Sequence, residues 1–145
     1  MKMLCQLVCS CLYLGELPVS GTWGSLVGWV FAWYFAAFSL PLFAALCVVG
    51  YAFTLIAEAS FGSKDPSEFV LDEVCGMMLS VLWLPKTVAV FAAAFILFRI
   101  LDIVKPWPIS ILQKMKHPFS IMHDDLAAGL FTNIILQVIV RTFFK

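Results

Sequence analysis

From residue 17 to residue 57 the chain carries no Asp, Glu, Lys, Arg or His, an uncharged run of 41 residues. At about 1.5 Å of helical rise per residue, this is enough for two crossings of an apolar layer roughly 30 Å thick. Pro41 is the natural divide between a Trp- and Phe-rich half, residues 26–40, and a second half, residues 42–57. Neither half alternates with the period of two that marks a barrel strand, so both read as helices. Composition agrees: 63% of the 145 residues are hydrophobic, 12% are charged and the mean hydropathy is +1.00. A water-soluble domain carries about twice that charge, and the polar surface here is too small to cover a sphere in water. Three further apolar stretches, residues 74–84, 87–98 and 126–140, each fall short of the ~20 residues of a comfortable span, which predicts tilted or partly inserted helices. The expected fold is all-α, a compact bundle of short transmembrane or membrane-embedded helices forming a single domain over residues 1–145. Residues 1–14 hold one basic side chain, Lys2, and read as a short apolar helix packed on the others rather than as a signal peptide.

Several function classes drop out early. Nine Lys+Arg balance nine Asp+Glu, so the chain lacks the basic footprint of a nucleic-acid binder. The five cysteines are odd in number and show neither a CxxC pair nor Cys/His zinc spacing, so they read as reduced, small apolar residues.

The charges that remain are concentrated. Seven of the nine acids fall in three windows, holding Asp65, Glu68, Asp72 and Glu73 in the first, Asp102 in the second, and Asp124 and Asp125 in the third. Carboxylates kept beside membrane segments are candidates for binding something. Asp65-Pro66-Ser67-Glu68 has the form of a capping box, which predicts a helix start there and makes Glu68 a structural acid. Asp72 and Glu73 come a turn or more later among apolar neighbours. Adjacent helical residues point about 100° apart, so holding both calls for a cation or a polar partner. Asp124 and Asp125 precede the last apolar stretch, where carboxylates also suit a helix dipole. Arg99, Asp102 and Lys105 stand at i, i+3 and i+6 on one helical face, and Pro106-Trp107-Pro108 ends that helix at a boundary where Trp107 suits an interface. Small residues between Gly15 and Ser25 leave backbone N–H groups accessible to a phosphate at the start of the first long helix. No Gly-Lys-Ser/Thr follows, so this is not a Walker loop.

Parity decides whether these windows meet. A hairpin at Pro41 puts residues 15–25 and 58–72 on one side. A second hairpin at Pro85-Lys86 brings residues 102–125 back to it, whereas one kinked helix over residues 74–101 sends them to the opposite face. The hairpin is preferred because it gathers carboxylates and cations into one site, and such a site at a membrane edge suits Mg²⁺ and phosphate chemistry. Lys64, Arg99, Lys105, Lys114 and Lys116 on that side, against Lys2, Lys86, Arg141 and Lys145 on the other, make it the cytoplasmic side.

Taken together, Gly21-Thr22-Trp23-Gly24-Ser25-Leu26, then Asp72-Glu73 with Gly76, then Phe98-Arg99-Ile100-Leu101-Asp102-Ile103-Val104-Lys105-Pro106-Trp107-Pro108-Ile109, then Ile121-Met122-His123-Asp124-Asp125-Leu126-Ala127-Ala128-Gly129 resemble the phosphatidylglycerophosphatase A family. The resemblance spans about 110 residues in the family's order. It implies an all-helical, Mg²⁺-dependent enzyme of the bacterial inner membrane that removes the terminal phosphate of phosphatidylglycerophosphate to give phosphatidylglycerol. Val19-Ser20 stands where the family usually has Pro before Gly-Thr, and Lys116-His117-Pro118-Phe119-Ser120 replaces a Gly-rich stretch.

Carried onto this chain, the resemblance implies that Asp72, Glu73, Asp124 and Asp125 form one or two Mg²⁺ sites, with Asp65 and Asp102 as additional ligands. Arg99 and Lys105 then clamp the phosphate, and Thr22, Gly24 and Ser25 approach it. Two rivals from other classes are an ion or proton transporter, which needs acids near the bilayer midplane rather than at segment ends, and a non-catalytic membrane assembly subunit, which leaves the charged windows unexplained. A CDP-alcohol phosphotransferase is disfavoured by the absence of its aspartate pattern, and a His-dependent acid phosphatase by the contexts of His117 and His123, which read as interface or loop residues.

Overall fold

The computed structural model describes residues 2–63, 66–113, 117 and 119–143, and no strand occurs among them. Seven α-helices follow in order among these residues: α1 (Lys2–Cys9), α2 (Ser20–Tyr34), α3 (Ser39–Phe61), α4 (Leu71–Val81), α5 (Val88–Val104), α6 (Ile109–Gln113) and α7 (Ser120–Phe143). Single 3-10 turns at Leu14–Glu16 and Ala36–Phe38 lead into α2 and α3.

The centre of the bundle is its short helix α4, with α2, α3, α5 and α7 packed round it. Leu71, Val74, Cys75, Met77, Met78 and Val81 are all buried, as expected of a helix apolar on most of its faces. Small residues let its neighbours approach closely. A Cβ added to Gly129 of α7 would lie 2.3 Å from the Gly76 carbonyl oxygen of α4, so those two backbones touch directly. Two helices, α3 over Ser39–Ala57 and α7 over Ser120–Phe143, are long and apolar enough to cross a membrane. Their outward faces carry Val48, Leu55, Ile134 and Val138, all exposed, an apolar surface that suits lipid better than water.

The second hairpin is present. α4 and α5 are separate helices joined through residues 82–87, and Thr87 caps α5 by accepting the Val90 N–H at 3.3 Å. The first hairpin turns at residues 35–38 rather than at Pro41. Pro41 lies in the first turn of α3, where a missing N–H costs nothing.

Two helix starts also differ from expectation. α4 begins at Leu71, not at the capping box, because the Val70 N–H is taken by the Cys9 carbonyl at 2.9 Å and the docked N-terminal segment holds residues 66–70 out of the helix. Asp65 lies outside the described residues, as do Lys64, Lys114 and Lys116; among the described residues the Glu68 carboxylate accepts only from the Ser67 hydroxyl, at 3.4 Å. Asp72 and Glu73 therefore occupy the first turn of α4, where the helix dipole favours carboxylates. α7 begins at Ser120, so Asp124 and Asp125 sit inside it, and it reaches 24 residues instead of falling short of a span.

Candidate active site

The N-termini of α2, α4 and α7 and the C-terminus of α5 meet at one end of the bundle round a cavity of about 310 Å³. α4 supplies Asp72 and Glu73 from its first turn, where the helix dipole favours carboxylates; α7 supplies Asp124 and Asp125 from its second turn, and α5 supplies Arg99 near its end and Lys105 as its cap. Lys105 is the left-handed cap of α5 (φ 44°, ψ 61°), its N–H bonded to the Leu101 carbonyl at 2.8 Å, and Pro106 prevents the helix from continuing.

The charged groups divide into two sets. Asp72, Glu73 and Asp125 each offer a carboxylate oxygen within 4.8 Å of the other two, a grouping fit to hold a metal ion. The Asp72 Oδ1 accepts the Glu73 N–H at 2.9 Å, while the Glu73 Oε2 is buried with no hydrogen-bond partner among the described residues. Burial pushes the Asp72 carboxyl well above the usual carboxylate range and the charge of Glu73 adds to this; burial also raises Glu73, against the opposing hydrogen bond from Asp72.

The second set is an ion-pair ladder. The Arg99 Nη1 donates to Asp102 Oδ2 at 2.6 Å, the Lys105 Nζ lies 3.6 Å from Asp102 Oδ1, and the same ammonium donates to Asp124 Oδ2. Burial alone would lower the Lys105 pKa, but its bond to Asp124 outweighs this and the ammonium is held charged.

All three windows thus converge, and Asp72, Glu73, Asp124, Asp125, Asp102, Arg99 and Lys105 all line the cavity. Thr22, Gly24 and Ser25 do not. α2 presents its start, Val19, Ser20 and Gly21, to the cavity. Its next turn faces α4: the Ser25 hydroxyl is buried and donates back to the Gly21 carbonyl at 2.7 Å, and a Cβ on Gly24 would lie 2.8 Å from the Val70 carbonyl oxygen. Gly21 is the close contact. A Cβ there would come within 2.6 Å of Glu73 Oε1 and 2.8 Å of Arg99 Nη1. Ser20 and Gly21 lay within the small-residue segment from Gly15 to Ser25, whereas Ser67 was read only as part of the capping box. His123 packs its ring against Tyr51 at 5.6 Å and does not line the cavity.

Fold and site define an all-helical protein whose polar pocket sets carboxylates suited to a divalent cation beside cations suited to a phosphate. The sequence model of the family described as phosphatidylglycerophosphatase A matches residues 7–140, and the chain belongs to that family. It is 36% identical to the Escherichia coli (strain K12) phosphatidylglycerophosphatase A over 129 residues, covering 83% of this chain and 74% of the relative. The corresponding protein of Haemophilus influenzae is 33% identical, covering 84% and 79%. A Bacteroides thetaiotaomicron protein provisionally named a phosphatidylinositol-3-phosphatase is also 33% identical, covering 81% of each. No solved structure matches the chain.

Proposed function

We propose that the chain is a Mg²⁺-dependent lipid phosphatase that hydrolyses the terminal phosphomonoester of phosphatidylglycerophosphate, releasing inorganic phosphate and phosphatidylglycerol. The observation that carries this is the charge balance of one cavity, where among the described residues five carboxylates face two cations and the three unpaired with those cations cluster together. A phosphate dianion entering such a pocket meets net negative charge unless a divalent cation is there as well. The residues fit one: three carboxylates are the oxygen donors Mg²⁺ takes, and the Glu73 Oε2 has no hydrogen-bond partner among the described residues. Asp72, Glu73 and Asp125 are assigned to hold it. When bound, Mg²⁺ supplies Lewis-acid polarisation of the phosphoryl group.

The chain's own groups do the rest. Arg99 and Lys105 bind the phosphate oxygens, and Asp102 and Asp124 hold those two cations in place. The N–H groups at the start of α2 approach the phosphate over Gly21, where a side chain would intrude. Buried surroundings strengthen each of these interactions relative to water. The family resemblance supports the substrate, and the ladder favours a phosphate over the transported ion of a channel. The setting proposed is the bacterial inner membrane, crossed more than once, with the cavity on the cytoplasmic side and lipid as its surroundings. The two apolar helices support that placement.

Purified chain in detergent is expected to release phosphate from phosphatidylglycerophosphate with Mg²⁺, to stop with EDTA and to recover on adding Mg²⁺ back. Phosphatidylinositol 3-phosphate run in parallel is expected to be the poorer substrate. No release from folded, Mg²⁺-supplied protein overturns the assignment.

A further inference from the structure

The segment joining α1 to α2 is held in a backbone state that its side chains do not favour. Cys11, Leu12 and Tyr13 have left-handed φ of 48°, 62° and 67°, and Val19 follows at 60°. Glycine, Asn and Asp ordinarily fill such positions, because a Cβ crowds the carbonyl there. Local bonds keep the path: the Tyr13 N–H donates to Ser10 Oγ and the Gly15 N–H to the Ser10 carbonyl, both at 2.9 Å. Gly15 is pressed so closely on the residue 66–70 segment that an added Cβ would lie 2.2 Å from the Glu68 carbonyl oxygen.

This constrained path turns apolar side chains outward. Leu12 is 74% exposed and Val19 69%, with Tyr13 and Leu17 also exposed. Of these Val19 lines the cavity, and Leu12, Tyr13 and Leu17 flank Gly15, which rests on the segment whose Pro66, Ser67 and Phe69 line it too. Trp107, two residues beyond Lys105, is 79% exposed. The two long apolar helices both reach this end of the bundle: α3 finishes at Phe61, five residues before the cavity-lining Pro66, and α7 starts at Ser120, beside the cavity-lining Ile121. An apolar rim round a polar mouth, level with the ends of apolar helices, fits the boundary between lipid chains and water.

We propose that the segment from Leu12 to Val19 is a lipid-contacting rim of the active site, seated among the acyl chains of the bilayer. It keeps the substrate's chains in lipid while its phosphate reaches Arg99 and Lys105. The occupant is phospholipid, not a second copy of the chain. The inference rests on the lipid-phosphatase reading and deepens it by assigning the surface that receives the substrate from the membrane.

The test uses a double variant, Leu12→Asn/Tyr13→Asn, because Asn tolerates left-handed φ and so preserves the backbone while removing the apolar surface. Two substrates share one headgroup: long-chain phosphatidylglycerophosphate in phosphatidylethanolamine/phosphatidylglycerol vesicles, and the dihexanoyl compound as dissolved monomer. On vesicles kcat/KM should fall about tenfold or more, the loss of one buried Leu side chain, while staying within about twofold on the monomer. The thermal midpoint should hold or rise. Equal loss on both substrates, or no loss on vesicles, overturns the rim. A second arm needs no turnover. A benzophenone-bearing residue at position 12, irradiated in vesicles with radiolabelled chains, should become attached to lipid; its failure to do so also overturns the rim. Wild-type chain inactive on both substrates yet attached to lipid at position 12 would keep the rim and sink the phosphatase reading.

Discussion

The two ends of the bundle both bury polar groups, but they use them differently. At the end where α4 gives way to α5, the Asn133 amide donates to the Leu82 and Ser80 carbonyls at 2.8 and 3.2 Å, and Gln137 reaches the Leu82 carbonyl at 3.4 Å. Beside that turn Trp29 and Trp33 stack, Phe91 meets both edge-on, and the Lys86 ammonium lies 5.1 Å from the centre of the Trp33 ring. These amides are spent on the last carbonyls of α4, and the result is a fastener. At the other end, carboxylates from two helices converge and the Glu73 Oε2 is left without a partner. The amides of the fastener find their partners inside the chain, whereas the Glu73 Oε2 finds none among the described residues.

That contrast breaks if substitutions at the two ends have the same kind of effect. The largest change is expected from Asp125→Asn, which should lower kcat by roughly 10²–10³-fold in a phosphate-release assay while leaving the helical circular dichroism unchanged. Asn133→Leu should do the reverse, costing about 1–3 kcal/mol in thermal unfolding through uncapped carbonyls, with kcat per folded molecule intact. A kcat loss in the second, or a stability loss alone in the first, would erase the distinction. Asp102→Asn sharpens it within the site: KM for the lipid should rise about tenfold as Arg99 and Lys105 lose their anchor. Mg²⁺ affinity, read by titration calorimetry, should stay as it was. A fall in affinity matching that of Asp125→Asn would return Asp102 to the metal ligands. The smallest effect belongs to Glu68→Gln, within about 0.5 kcal/mol of stability and with no change in rate, since no helix begins at this residue.

What was legible in the sequence follows from how local each signal is. The uncharged run, the helix ending at Pro106 and the i, i+3, i+6 spacing of Arg99, Asp102 and Lys105 are local, and all survive in the structure. The convergence of the acidic windows needed only parity, fixed once a turn was placed near Pro85. The start of α4 was not legible, because it is decided by a contact from 61 residues earlier, the Cys9 carbonyl on the Val70 N–H. For the same reason the sequence led to Thr22, Gly24 and Ser25, whereas the rotation of α2 against α4 turns Ser20 and Gly21 to the cavity. The division of acids into a cluster and a ladder was likewise hidden. Asp124 and Asp125 are neighbours in sequence, and only their direction on α7 sends one to Lys105 and the other to Asp72 and Glu73.

The direct contact between Gly76 and Gly129 works as a ruler. Glu73 lies three residues before Gly76 and Asp125 four before Gly129, so the separation of these acids is set by main chain meeting main chain about one turn away. Side-chain repacking has little purchase on such a distance. A single methyl would meet main chain at 2.3 Å on Gly129 and 2.7 Å on Gly76, and would pry apart the two helices that carry the carboxylates. Gly28 of α2 meets the Val74 carbonyl of α4 in the same way, at 2.5 Å, so main chain gauges the spacing on a second side of α4 as well.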